Sequence, residues 1–197
     1  MNVALHGMET AIREPTYRDG KPIVIRYADE FVLLHPKKDE LQKAATLATE
    51  WLKGMGLWLS PNKTRVTHTL TPHEGNVGFD FPGYTIRQFQ VGKTHTGKNT
   101  HGKPLGFKTI ITPSQESIKR HTHQIGQVLR KQRNAPQQRV IRDLNPIIRG
   151  WYLYHRWVIC TEAFTTCDHI TFLQLKRWGN TRHPKKGSAY PILLSVR

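Results

Sequence analysis

The sequence predicts an α+β protein built in two parts, a mixed part over residues 1–112 and an all-helical part over residues 113–197. Three observations carry that expectation. The apolar runs Ile23-Val24-Ile25 and Phe31-Val32-Leu33-Leu34 are short and rich in β-branched residues. They read as two central strands joined by a tight turn at Ala28-Asp29-Glu30. Lys38 to Met55 places Leu41, Ala44, Ala45, Ala48, Trp51, Leu52 and Met55 on one helical face. After Pro113 the strand signals stop and helical spacing takes over.

The elements follow in order. Residues 2–14 predict a helix, because Leu5, Met8 and Ile12 recur at helical spacing and Pro15 stops the pattern. "EPTYRDGKP" is a turn-rich loop before the first strand. Gly54 and Gly56 suit the C-terminal end of the helix that starts at Lys38. "LWLSPNKTRVTHTL" alternates about a Ser-Pro-Asn turn, and "VGFDFPGYTIRQFQV" alternates as a strand or hairpin arm. "GKTHTGKNTHGKPLG" is a polar, basic loop or β-turn crossing to "FKTIIT". Ser114 can cap a helix reaching to Arg133, and Asn134 and Pro136 restart the chain. Asn145-Pro146, a capping residue followed by proline, predicts the start of the next helix. Ile147, Ile148, Trp151, Tyr154 and Val158 would form its core face. A last helix runs from Glu162 to Trp178, and a basic, proline-broken tail follows it.

Composition narrows the partner. Thirty Lys and Arg stand against 14 Asp and Glu, a formal charge of +16. With 37% hydrophobic and 9% aromatic residues, this is a folding chain and not a disordered basic tail. Such an excess calls for a polyanion, and nucleic acid comes first, because each neutralised phosphate releases counterions. No apolar run approaches the ~18 residues of a membrane span, so no membrane partner is expected. The N-terminus lacks the pattern of a signal peptide, and the expected location is the cytoplasm, bacterial or organellar. Cys160 and Cys167 are too far apart for a zinc half-site and too few for a disulfide framework. They read as reduced, half-buried thiols. The 11 histidines lack ligand spacing and read as solvated or RNA-facing.

The pair Asp29-Glu30 admits two readings. It can simply form a polar turn, since Asp favours turns. It can also offer fixed carboxylate oxygens to a hard cation such as Mg2+, which binds a few such ligands together with substrate phosphates. Two such ions about 4 Å apart activate a hydroxyl and stabilise a leaving pyrophosphate.

The wider sequence bears on this choice. "IVIRYADEFVLL" resembles the Tyr-Ala-Asp-Asp hairpin of reverse transcriptases, with flanks most like the group II intron reverse transcriptase/maturase family. "GLWLSPNKTRV" is similar to the family's next block, and "GFDFPGYTIR" to the strand that helps grip the primer. "LNPIIRGWYLYHR" resembles the signature of the thumb, or maturase domain X, and "LKRWGNTRHPKK" its end. "NVALHGME" resembles the helix before the catalytic hairpin. The resemblance spans nearly the whole chain. It implies the C-terminal part of a reverse-transcriptase palm, a small antiparallel sheet with helices, followed by an all-helical thumb. The implied function is RNA-directed DNA polymerisation by two-metal nucleotidyl transfer in the complete protein, with binding of group II intron RNA and of an RNA/DNA template–primer.

Carried over residue by residue, the resemblance implies that Asp29 is a catalytic metal ligand and that Glu30 stands where the family has a second Asp. The extra methylene of Glu30 moves its oxygens by about one C–C bond, in a site that tolerates roughly 0.5 Å of error. Tyr27 and Ala28 would line the nucleotide and primer side, with Lys63 close to the active site as a phosphate partner. Phe81 and Gly83 would belong to the primer-grip turn, where Pro82 replaces the usual Leu. In the family another Asp comes from an earlier palm strand, which here would precede Met1. The chain is therefore expected to be a fragment, inactive alone and able to take a separate N-terminal reverse-transcriptase half as partner. The strands over Ile23–Leu34 would then keep an unpaired, aggregation-prone edge. The alternatives are a non-catalytic RNA-binding maturase module, acting in splicing, and an inactive mobile-element remnant. In the helical part Arg130, Lys131, Arg133, Arg139, Arg142, Arg149 and Arg156 are candidate RNA-binding residues. Each can equally be part of a solvated helix face.

Overall fold

The computed structural model describes residues 5–92 and 95–182. In chain order they form α1 (Met8–Arg13), β1 (Ile23–Tyr27), β2 (Glu30–Leu34), α2 (Lys38–Gly54), β3 (Phe79–Phe81), β4 (Tyr84–Gln90), β5 (Phe107–Pro113), α3 (Gln115–Lys131), α4 (Gln137–His155) and α5 (Thr161–Arg182). The architecture is α+β with small antiparallel sheets. The chain divides into two units, residues 1–77 and 78–197, so the change from strand to helix at residue 113 lies within the second.

In the first unit α1 is shorter than its spacing predicts. Gly7, at φ +92°, caps it, and the chain from Leu5 to Gly7 is a turn. Met8 and Ile12 are completely buried against Ala44, Ala48 and Leu52 of α2. The alanines let the two helices close in, and each large apolar side chain buried there contributes about 1.5–3 kcal/mol. Met55 is exposed, because α2 ends at Gly54 and the chain turns away at Gly56, φ +72°. The segment after it forms no strand. Leu57 and Leu59 pack on the core from irregular backbone, anchored where the Leu57 N–H donates to the Leu52 carbonyl at 2.9 Å.

β1 and β2 pair antiparallel with Tyr27 opposite Glu30 and Ile23 opposite Leu34. They are not central strands, since their sheet has two strands. Strand alternation turns Val24, Phe31 and Leu33 toward the helices and leaves Ile23, Ile25 and Tyr27 on the open face. Arg26 lies on the inner face and donates to the Leu5 carbonyl at 2.6 Å.

In the second unit β3, β4 and β5 form a meander in that order. Gly78 precedes it. A Cβ there would lie 2.4 Å from the Ile86 carbonyl oxygen, so only glycine lets the strands approach this closely. Ser114 caps α3 as its sequence predicts, its side chain accepting from the Ser117 N–H. The following helix does not begin at Asn145. It starts at Gln137 behind Pro136 and carries Pro146 in its interior. Pro146 is exposed, and the Arg142 carbonyl that its ring deprives of a partner belongs to an exposed residue, so water can satisfy it. The helices bury Ile125, Leu129, Val140, Leu144 and Leu175 in one cluster and Ile118, Ala163 and Cys167 in another. Cys160 is half-buried and Cys167 fully buried, and burial with Asp168 nearby pushes the Cys167 thiol up to about 11. No described helix is long and apolar enough to cross a membrane.

Candidate nucleic-acid interface

The acidic tip is a two-residue hairpin. Tyr27 closes β1, Ala28 and Asp29 form the turn, and Glu30 opens β2 opposite Tyr27. Glu30 is therefore a strand residue and not part of the turn. Ala28 sits at φ +53°, a left-handed conformation that costs a residue with a Cβ about 1–2 kcal/mol. Tyr27, Ala28, Asp29 and Glu30 are all exposed. The tip thus presents two carboxylates side by side to solvent, one on the turn and one on the adjoining strand. As hard oxygen donors they fit a Mg2+-type ion as a partial ligand set. Among the described residues no group of three or more His, Cys, Asp or Glu side chains is arranged to hold a metal. Lys63 is exposed on the same unit, in a turn where its N–H and that of Thr64 donate to the Ser60 carbonyl at 3.1 and 3.0 Å.

In the second unit Phe81, Pro82, Gly83 and Tyr84 form another two-residue hairpin, with Gly83 at φ +85°. This turn is clamped onto α4. The Tyr84 hydroxyl donates to the Tyr154 carbonyl at 2.6 Å, and the Tyr154 hydroxyl donates to the Pro82 carbonyl at 2.8 Å. The two rings stack at 5.1 Å. The Ser114 N–H donates to the Gly83 carbonyl at 2.9 Å, which ties the turn to the start of α3. Burial, followed by the neighbouring Tyr154, raises the Tyr84 phenol above its ordinary value. Tyr154 is thus no core residue: it is partly exposed and clamps the turn, whereas Trp151 and Val158 are half-buried.

Beneath that turn lies a polar aromatic cluster that the sequence reading missed. His155 is 1% exposed, and its Nε2 lies 3.0 Å from the Ser117 hydroxyl, which also accepts from the Trp151 indole at 3.1 Å. His121 stacks on Trp151 at 4.6 Å and 11°. Burial, then the neighbouring His155, pushes His121 down to about 4, and burial likewise lowers His155. Both rings are neutral at physiological pH. These two histidines are core groups, neither solvated nor RNA-facing. The available signal was the four-residue spacing Ser117–His121 and Trp151–His155, which puts each pair on one helix face.

The seven candidate cations of the helical part, Arg130, Lys131, Arg133, Arg139, Arg142, Arg149 and Arg156, are all exposed. Arg142, Arg149 and Arg156 recur every seventh residue and so form a stripe about 21 Å long on α4, opposite Val140, Leu144 and His155. Arg142 has an acidic neighbour, Asp143, at 3.6 Å, while Arg156 lies over the ring of Trp157 at 4.3 Å. Trp157 is 77% exposed. Among the described residues the other candidates form no ion pair.

Comparison with known families matches these two regions separately. Residues 1–108 match the family model described as reverse transcriptase (RNA-dependent DNA polymerase). Residues 118–193 match the model described as group II intron, maturase-specific domain. No curated protein matches the chain.

Proposed function

This chain belongs to the reverse transcriptase (RNA-dependent DNA polymerase) family, and its two matched domains indicate a function of the group II intron reverse transcriptase/maturase type. From that premise we propose that α3 and α4 grip intron RNA and template–primer backbone, while the Tyr27–Glu30 tip contributes to a nucleotidyl-transfer site. The observation that carries the proposal is the uncompensated cation stripe. Arg142, Arg149 and Arg156 are exposed on one side of α4, with a single acidic partner between them. Phosphates supply the missing charge, and guanidinium groups take them bidentately.

Asp29 and Glu30 are the residues that would hold Mg2+. A divalent ion bound there supplies positive charge that acidifies an attacking hydroxyl and stabilises a leaving phosphate. The protein's part is positional. The hairpin fixes Asp29 and Glu30 next to each other, and Lys63 is the candidate phosphate contact. Two carboxylates make a partial site, so residues 1–197 alone are expected to be inactive, and a separate N-terminal half is the proposed partner.

The test is binding of a group II intron RNA across a salt series. Replacing Arg142, Arg149 and Arg156 together by Gln should flatten the log–log slope by about 2–3, at roughly 0.7–0.9 per lost contact. A parent slope near zero would overturn the reading. A second reading, a maturase module that binds RNA without catalysis, is favoured by Glu30, whose longer side chain displaces its oxygens. Primer extension on an RNA template separates the two. Mg2+-dependent cDNA synthesis that vanishes with Asp29→Ala excludes the non-catalytic module. If it arises from residues 1–197 alone, it also refutes the need for a second half.

A further inference from the structure

The hairpin of β4 and β5 carries a surface that lies outside the helical cation set. From Phe81 to Gln115 the chain contains no acidic residue, while Arg87, Lys98, Lys103 and Lys108 are spread through it. Strand register places Arg87, Phe89, Lys108 and Ile110 on one face, since Arg87 pairs with Ile110 and Phe89 with Lys108. On that face the Arg87 guanidinium lies over the Phe89 ring at 4.7 Å. Phe89 nonetheless remains 39% exposed, and Arg87 and Lys108 are exposed beside it. The one acid on this face is Asp80, at its β3 end, where Thr85 donates to it at 2.5 Å. The loop beyond the strands is ordered by Asn99, whose side-chain oxygen accepts from the His101 and Lys103 N–H groups at 3.0 and 2.8 Å.

An exposed aromatic ring in a field of unpaired cations is poorly explained as solvent-facing surface. Apolar area is left in water, and like charges repel across the two strands. Charge complementarity calls for a polyanion, and the ring calls for one with accessible π-faces. We infer that the Arg87–Phe89–Lys108 face of the β4–β5 hairpin is a subsite for single-stranded RNA, with a base stacked on the Arg87–Phe89 pair and phosphates on Lys108 and the loop lysines. Duplex RNA suits the face less well, because its bases are stacked on one another and hidden from the ring. This inference rests on the reading of the chain as an RNA-binding protein, and it adds a second place of contact to the α4 stripe.

The experiment titrates the full chain with fluorescein-labelled oligouridylate and, in parallel, with a 16-base-pair RNA duplex. Phe89→Leu keeps an apolar side chain at a surface position and should weaken oligouridylate binding roughly tenfold while leaving the duplex unaffected. Arg87→Gln with Lys108→Gln should lower the salt slope by about 1.4 on the single strand. A thermal melt identical to the parent's confirms that each variant is folded. Parental oligouridylate affinity in both variants, with loss in the Arg142/Arg149/Arg156 variant, overturns the hairpin subsite and keeps the helical reading. An equal drop on duplex and single strand overturns the stacking assignment. A parent chain that binds neither RNA refutes both readings together.

Discussion

Two hairpins of the same construction sit in different surroundings. Ala28-Asp29 and Pro82-Gly83 are both two-residue turns, each with one residue at positive φ. At the first, the strained position is an alanine and the residues around it are open to solvent. At the second, the strained position is glycine, and the turn is held by Tyr84, Tyr154 and Ser114 over a buried His155. The first displays functional groups, and the second is built to stay where the helices put it. Substitutions should therefore cost stability at the clamped turn and little at the open tip.

The largest effect is expected beneath the clamp. His155→Ala removes a buried ring, leaves Ser117 and Trp151 without their shared partner, and should cost about 3 kcal/mol in urea unfolding. A loss below about 1 kcal/mol would show that the cluster does not hold the turn.

Acid should act on the same place. The folded-state values of His121 and His155 lie below the unfolded value of 6.5, so the unfolded chain binds more protons. Their contribution to stability is present above about pH 6.5 and is lost as pH falls from there toward about 4. The second unit should melt at lower temperature at pH 5 than at pH 7, and His121→Phe should reduce that difference. An unchanged difference would assign the acid sensitivity to other groups.

Tyr154→Phe removes one hydroxyl bond to Pro82 while keeping the ring stack, and about 1 kcal/mol should be lost. The smallest effect has the opposite sign. Ala28→Gly relieves the left-handed alanine and should leave the first unit unchanged or up to about 1 kcal/mol more stable, since glycine's freedom in the unfolded chain offsets part of the gain. A destabilisation there would erase the contrast between the two turns.

Local signals in the sequence reached the hairpins and most of the helices. Alternation about Asp29 and about Gly83, the Ser114 cap and the apolar face from Leu41 to Leu52 are local properties, and local patterns record them well. The reading failed where tertiary context overrode a local rule. Asn145-Pro146 has the form of a helix start, yet packing of Val140 and Leu144 carries α4 through it. Leu57 and Leu59 alternate like a strand but have no partner strand and pack as irregular chain. The histidine cluster was hidden because His121 and His155 lie on separate helices, and nothing local marks a polar ring as core. Asp29 and Glu30 could be named as candidate ligands from sequence, but the division of labour between turn and strand needed the register.

The reciprocal bonds of Tyr84 and Tyr154 have a mechanical meaning. Each phenol grips the other element's backbone, so the joint resists sliding in either direction along α4. Arg156 follows directly on His155 at the end of that helix. Tension applied to Arg156 by a bound strand would be passed to the Pro82-Gly83 turn as a pull on a short rigid lever, with no flexible segment to absorb it. The cation stripe and the turn would then move together under load.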